Sequence, residues 1–430
     1  MMGRILIKNA YIIDPSQGIE ELSQLLIKDG KIAKIGKNIT EQAETVIDAR
    51  ELCLAPGLVD MHVHFRDPGF TNKEDIITGS MAAAAGGFTS VVCMPNTKPV
   101  CDCKTVLDYI NEQSKSADAR IYPAAAITVS SMGQALTDFE MLKACGAIAV
   151  SDDGKPVKNA QLMLDALKLA KEKNITVISH CEDLDIIGKG IINKGAISNK
   201  LGVDGMDRAS EDSITAREIV LARNADAHIH IAHVSTKGSV NIIRKAKNDG
   251  INVTCETAPH YMLLTDRELL NMDANYRMNP PLREESDRQA ILEGIKDGTI
   301  DAIATDHAPH TASEKADFYK APNGVIGLET SLAASITALV ETNIITLSRL
   351  IEMMSTAPCR ILGIKGGTLK VGENADIVIF DKNEKWRVDA NTFKSKSRNT
   401  PFNGMTLTGK VKMTMLGGKI TYCDKNKKDK

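Results

Sequence analysis

Leu58-Val59-Asp60-Met61-His62-Val63-His64 is a short apolar run that closes on two histidines. Four further stretches have the same form. Ala149-Val150-Ser151 runs into Asp152-Asp153-Gly154, and Val177-Ile178-Ser179 ends at His180. Ile229-His230-Ile231-Ala232 ends at His233, and Ala302-Ile303-Ala304-Thr305 at Asp306. Short apolar runs bounded by polar clusters read as buried strands, and Ala160 to Lys173 and Ser210 to Arg223 carry the period of amphipathic helices between them. Repeated β-then-α units predict a parallel sheet. Over roughly 300 residues a closed, TIM-like (β/α)8 barrel is its natural form.

Outward from the barrel the pattern changes. Ile5-Leu6-Ile7, Tyr11-Ile12-Ile13, Leu25-Leu26-Ile27 and Ile32-Ala33-Lys34-Ile35 read as short strands, with Asp29-Gly30 as a hairpin turn. Strands return after Pro358, in Ile377-Val378-Ile379-Phe380, Val411-Lys412-Met413 and Gly417-Gly418-Lys419-Ile420. The expected organisation is a small β-sandwich domain formed from both termini, residues 1–54 and 359–430, with the catalytic barrel, residues 55–358, inserted between them.

Composition narrows the function. The 430 residues are 43% hydrophobic and 25% charged with a formal charge of -2, giving no electrostatic reason to expect nucleic acid or an anionic membrane as partner. No run approaches the roughly 18 apolar residues of a membrane span. Met1-Met2-Gly3-Arg4 does not open a signal peptide, and the charged end from Asp424 to Lys430 reads as a solvated tail. Nine scattered cysteines without a C-x-x-C pair suit a reducing, cytoplasmic setting. Cys101 and Cys103 could chelate a metal, but no second pair lies near them in sequence.

The strand ends carry the chemistry. In a barrel they converge on one mouth. His62 and His64, two apart, project from one face of a strand. With His180, His233 and Asp306 they offer imidazole and carboxylate ligands suited to Zn²⁺, which activates water when a coordination position is left open. Taken singly, each has a structural reading: a chance H-x-H, a hydrogen-bonded core histidine, an Asp-Gly turn. Five such features at successive strand ends argue for a metal site. His228 and His230 alternate to the face opposite His233 and are read as structural. His260, at another strand end, is more simply structural than catalytic.

Asp60-Met61-His62-Val63-His64-Phe65-Arg66-Asp67-Pro68-Gly69 resembles the signature of the dihydroorotases, in the bacterial type I branch of the amidohydrolase superfamily. So do Met94-Pro95-Asn96-Thr97, Met278-Asn279-Pro280-Pro281-Leu282-Arg283 and Asp306-His307-Ala308-Pro309-His310. The resemblance covers nearly the whole chain. It implies zinc, one or two ions with two favoured, His62 and His64 binding one and His180 and His233 a second. Asp306 would be both ligand and general acid/base, with a metal-bound hydroxide as nucleophile. The lysine that bridges two metals in most of the superfamily has no counterpart, since Lys155 lies beyond Gly154; the family match in its place is Asp153 rather than Asp152.

Arg66 would fork two donors onto a substrate carboxylate. Asn96 would add a donor, and His64, Asn279, His310, Asn323 and Gly324 further substrate contacts. The implied reaction is the reversible cyclisation of N-carbamoyl-L-aspartate to (S)-dihydroorotate, the third step of pyrimidine biosynthesis. A homodimer is the expected assembly, and association with aspartate transcarbamoylase stays open. Two rivals remain: another cyclic amidase such as dihydropyrimidinase, hydantoinase or allantoinase, and a catalytically dead scaffold. The first normally carries the bridging lysine and lacks Phe65-Arg66; the second typically loses ligands, and here none is missing.

Overall fold

In the computed structural model, which describes residues 3–424, eight parallel strands follow one another in chain order around a barrel. They are Leu58–Val63, Phe88–Cys93, Arg120–Ala125, Ala149–Val150, Thr176–Ser179, Ile229–Ile231, Val253–Thr257 and Ala302–Ile303. The ring closes through a single parallel bridge between Val63 and His307, where His64 N–H donates to the His307 carbonyl at 2.8 Å. The buried Asp60 carboxylate seals the same seam, accepting from the Thr305 backbone N–H at 3.1 Å. The end from Lys425 to Lys430, read as a solvated tail, lies outside the described residues.

Period-two alternation explains how the strands pack. Val92, Ala149 and Ile178 join the inner core with Met61, Ala124 and Ala302. Their neighbours Val91, Val150 and Val177 join the outer core under the helices. Each valine, isoleucine or methionine side chain so taken from water contributes roughly 1.5–3 kcal/mol, and an alanine methyl less. The helix Ala160–Lys173 starts where Asn159 accepts from the N–H groups of Gln161 and Leu162 and stops at Asn174 in the left-handed conformation.

Both ends of the chain form one mixed sheet beside the barrel, with Cys53–Pro56 seated between Arg4–Asp14 and Ile377–Arg387. Ile7, Ile12, Leu25, Leu54, Ile377 and Met415 make its own core. The two short strands expected before Asp14 are one strand, Arg4–Asp14. A register shift between Ile7 and Ala10, with Asn9 at φ 59°, bulges it without ending it. Asp29 and Gly30, at φ 50° and 77°, form the expected two-residue turn. Gly57 joins sheet to barrel: a Cβ there would lie 2.2 Å from Thr89 Oγ1, so only glycine lets the chain pass.

Candidate active site

The mouth at the C-terminal ends of the strands holds a cavity of about 240 Å³. Of the residues expected to act, all but His62 line it; the His62 ring is completely buried beneath. His62, His64 and Asp153 form one group of converging ligand atoms, and Asp153, His180 and His233 a second, each within 4.8 Å, with Asp153 shared. Asp306 Oδ1 lies 3.0 Å from His64 Nε2 and 3.7 Å from His62 Nε2. Asp152 turns away, its carboxylate accepting from Thr128, and Lys155 is exposed.

Protons on the outer nitrogens are already committed. A carboxylate or amide oxygen can only accept, so His62 Nδ1–H donates to Glu256 at 3.2 Å and His64 Nδ1–H to Asn96 Oδ1 at 2.8 Å. Likewise His180 Nε2–H donates to Glu182 at 3.1 Å. The inner nitrogens therefore carry lone pairs that converge on one another and on carboxylates. His180 Nδ1 and His233 Nε2 are 2.8 Å apart, and His62 Nε2, 3.3 Å from Asp153 Oδ1, makes no hydrogen bond. A divalent cation reconciles this arrangement, and four imidazoles with two carboxylates are a donor set that suits it.

Without a cation the field of the two aspartates draws protons instead. Burial pushes His180 down, but Asp153 and Glu182 outweigh it and lift the ring to about 10. Burial likewise raises Asp306, yet the surrounding imidazoles, His64 foremost, hold its carboxyl down at about 2. Asp306 is thus a carboxylate at neutral pH, able to accept a proton.

Around this centre stand groups of a different kind. The guanidinium of Arg66, a residue at φ 61°, makes no hydrogen bond or ion pair among the described residues, and its Nε is buried without a partner. Asn96 holds His64 with its oxygen and Asp153 with one N–H at 3.2 Å, leaving one donor for a ligand. His310 donates from Nε2 to the Asn323 carbonyl at 2.9 Å, and burial beside Arg66 lowers its pKa to about 3. Its ring is neutral, and Nδ1 remains as an acceptor. Gly324 has its N–H on the Arg277 carbonyl and its own carbonyl on Asn399, so its backbone is committed within the protein. Its lack of a side chain matters directly, because a Cβ would sit 2.9 Å from His310 Nε2.

His230 is not set on the face opposite His233, as strict alternation predicts. The strand ends at Ile231 and His233 takes φ 34°, which breaks the alternation. Glu256 touches His62 on the first strand and lies 3.3 Å from His230 on the sixth, so both rings face the barrel interior. His230 stays outside the two ligand groups, and buried His260 does not line the cavity. Glu256 and Glu182 escape a reading of the sequence. The signal available was a lone acid in Val253-Thr254-Cys255-Glu256-Thr257 and another two residues after His180, each indistinguishable from ordinary strand-end polarity.

An eight-stranded barrel with this rim and a sheet from both termini defines a hydrolase of the amidohydrolase type, which cleaves cyclic amides. The L-hydantoinase (dihydropyrimidinase) from Arthrobacter aurescens superposes with a TM-score of 0.87 at 25% identity, over 97% of this chain and 96% of that one. A D-hydantoinase superposes with a TM-score of 0.87 at 27% identity. Sequence narrows the class. Residues 52–239 match the family described as Dihydro-orotase-like. The dihydroorotase of Geobacter metallireducens is 51% identical over 421 residues, covering 97% of this chain and 99% of the relative, and that of Acetivibrio thermocellus is 48% identical over 423 residues. The chain belongs to the dihydroorotase family.

Proposed function

We propose that this chain catalyses the reversible cyclisation of N-carbamoyl-L-aspartate to (S)-dihydroorotate, in the third step of pyrimidine biosynthesis, with zinc held by His62, His64, Asp153, His180, His233 and Asp306. The observation that carries the substrate is the unpaired Arg66 guanidinium on the wall of a cavity whose floor holds imidazoles and carboxylates. A neutral cyclic amide leaves such a half-buried cation without a partner, whereas a substrate carboxylate accepts its fork. A zinc ion bound there supplies Lewis acidity to the carbonyl oxygen under attack and an activated water for the reverse reaction.

Asp306 does the proton work. In ring closure it accepts the ureido N–H proton as the C–N bond forms, then returns that proton to the departing oxygen. The second proton of the water comes from solvent, so closure consumes one proton overall. In ring opening the same carboxylate takes a proton from water and gives it to the ring nitrogen. Asn96 keeps His64 and Asp153 in place while its free N–H meets the substrate. The acceptor Nδ1 of His310 suits a ring N–H rather than a carboxylate, refining the contact expected there.

The nine cysteines are all free and no helix of the described residues is long and apolar enough to cross a membrane, features that support a cytoplasmic site of action. Parallel assays with dihydroorotate, dihydrouracil and allantoin test the reading. Turnover of dihydroorotate alone is expected, and a preference for either neutral ring refutes it.

A further inference from the structure

We propose that Glu256 and Glu182 are positioning residues, one behind each ligand group, that determine which ring nitrogen of His62 and of His180 faces the metal. The proposal rests on the zinc-dependent reading above. An imidazole ring does not choose its own tautomer strongly, and a carboxylate behind a ligating histidine fixes both tautomer and orientation.

The two glutamates do this in opposite senses. Glu256, fully buried on the seventh barrel strand, reaches across the interior to take the Nδ1 proton of His62, which leaves Nε2 toward Asp153 and Asp306. Glu182, also buried, takes the Nε2 proton of His180, which leaves Nδ1 toward Asp153 at 3.4 Å and His233 at 2.8 Å. One histidine is thereby committed to bind through Nε2 and the other through Nδ1. Both donors point at the shared Asp153.

Each glutamate is held in turn. The second oxygen of Glu256 lies 3.3 Å from His230 Nε2, and His230 Nδ1 accepts the hydroxyl of Thr254 at 2.8 Å. Thr254 Oγ1 accepts from His228 Nε2 at 2.8 Å. His228 and His230, outside both ligand groups, thus end a row of close contacts that runs from half-buried His228 inward to His62. Glu182 and Asn279 line one small cavity, so the loop carrying Asn279 packs against the second group. Removing either carboxylate should loosen the group in front of it and spare the other.

The test uses the full chain stripped of metal and titrated with zinc against a chromophoric chelator, as wild type, Glu256→Gln and Glu182→Gln. Outer partners of metal ligands typically control affinity by about 10–100-fold. Each variant is expected to lose that much for one ion while the other binds within about twofold of wild type, the affected ion differing between the two variants. Histidine ¹⁵N shifts of the zinc-loaded wild type provide a measurement that needs no variant to fold. They should show His62 protonated at Nδ1 and His180 at Nε2. Unchanged affinities in both variants, or the opposite tautomers, overturn the proposal while leaving zinc binding intact. A wild type that binds no zinc overturns the metal reading and this proposal together.

Discussion

Three site residues hold backbone conformations that side chains ordinarily avoid: Arg66 at φ 61°, His233 at 34° and Asp306 at 48°. Such conformations cost on the order of 1–3 kcal/mol each and persist where the surroundings impose them. Here they turn side chains off the ends of strands and into one cavity. Asparagine tolerates the left-handed region, so Asp306→Asn removes the carboxylate while keeping the turn. Its kcat is expected to fall by on the order of 10³-fold, because the same group accepts and returns the proton. Steady-state kinetics with retention of a tenth of the activity would rule out that role. Arg66→Lys keeps the charge but loses the fork. KM for carbamoyl aspartate should rise about 10–100-fold with a smaller change in kcat, as expected for a charged hydrogen bond worth about 1.5–3 kcal/mol. Equal KM values would move the carboxylate elsewhere.

At the scale of elements, the loops above the strands are fastened by buried basic side chains. Lys315, 8% exposed, donates to the carbonyls of Arg277 at 3.1 Å and Pro322 at 2.9 Å, joining the segments that carry Asn279 and Asn323. Burial, then the charge of Arg277, lowers its pKa from the ordinary 10.5 to about 7. Between those values the unfolded chain binds a proton that the folded chain does not. The Lys315 contribution to stability therefore rises with pH across that window. Urea unfolding at pH 7.5 and 9.5 should show wild type gaining on Lys315→Met as pH rises; parallel pH responses would show that the amine stays charged. A second fastening is apolar in neither partner: Arg283, from the Pro280-Pro281-Leu282-Arg283 stretch, pairs with buried Glu211 at 3.3 Å. Glu211 in turn accepts the N–H groups of Ser235 and Thr236, two and three residues after His233. The motif residue thus acts by holding a ligand-bearing loop.

For the whole molecule, closure of the barrel and the gathering of the imidazole and carboxylate cluster depend on each other. Seven of the eight junctions between barrel strands are ladders, but among the described residues the first and last strands meet only through the Val63–His307 bridge and Asp60, beside His64 and Asp306. Zinc bound to the folded chain alone should stabilise it by about 2.7 kcal/mol at a free concentration a hundredfold above Kd. Calorimetry is expected to show Tm falling when a chelator is added and recovering with zinc; an unchanged Tm would argue against ligands drawn from separate strands. Much of this architecture was legible in the chain. Strand alternation, helix caps such as Asn159 and Asn174, and polar residues closing apolar runs are local, and they specified a barrel with His62, His64, His180, His233 and Asp306 at its mouth. Which side chains meet across the interior is set by the fold and is not written along the chain. Glu256 behind His62, Glu182 behind His180 and the inward turn of His230 depend on strand closure and on a few left-handed residues. Local period records neither, because a buried acid awaiting a distant partner looks, along the chain, like any polar residue at the end of a strand.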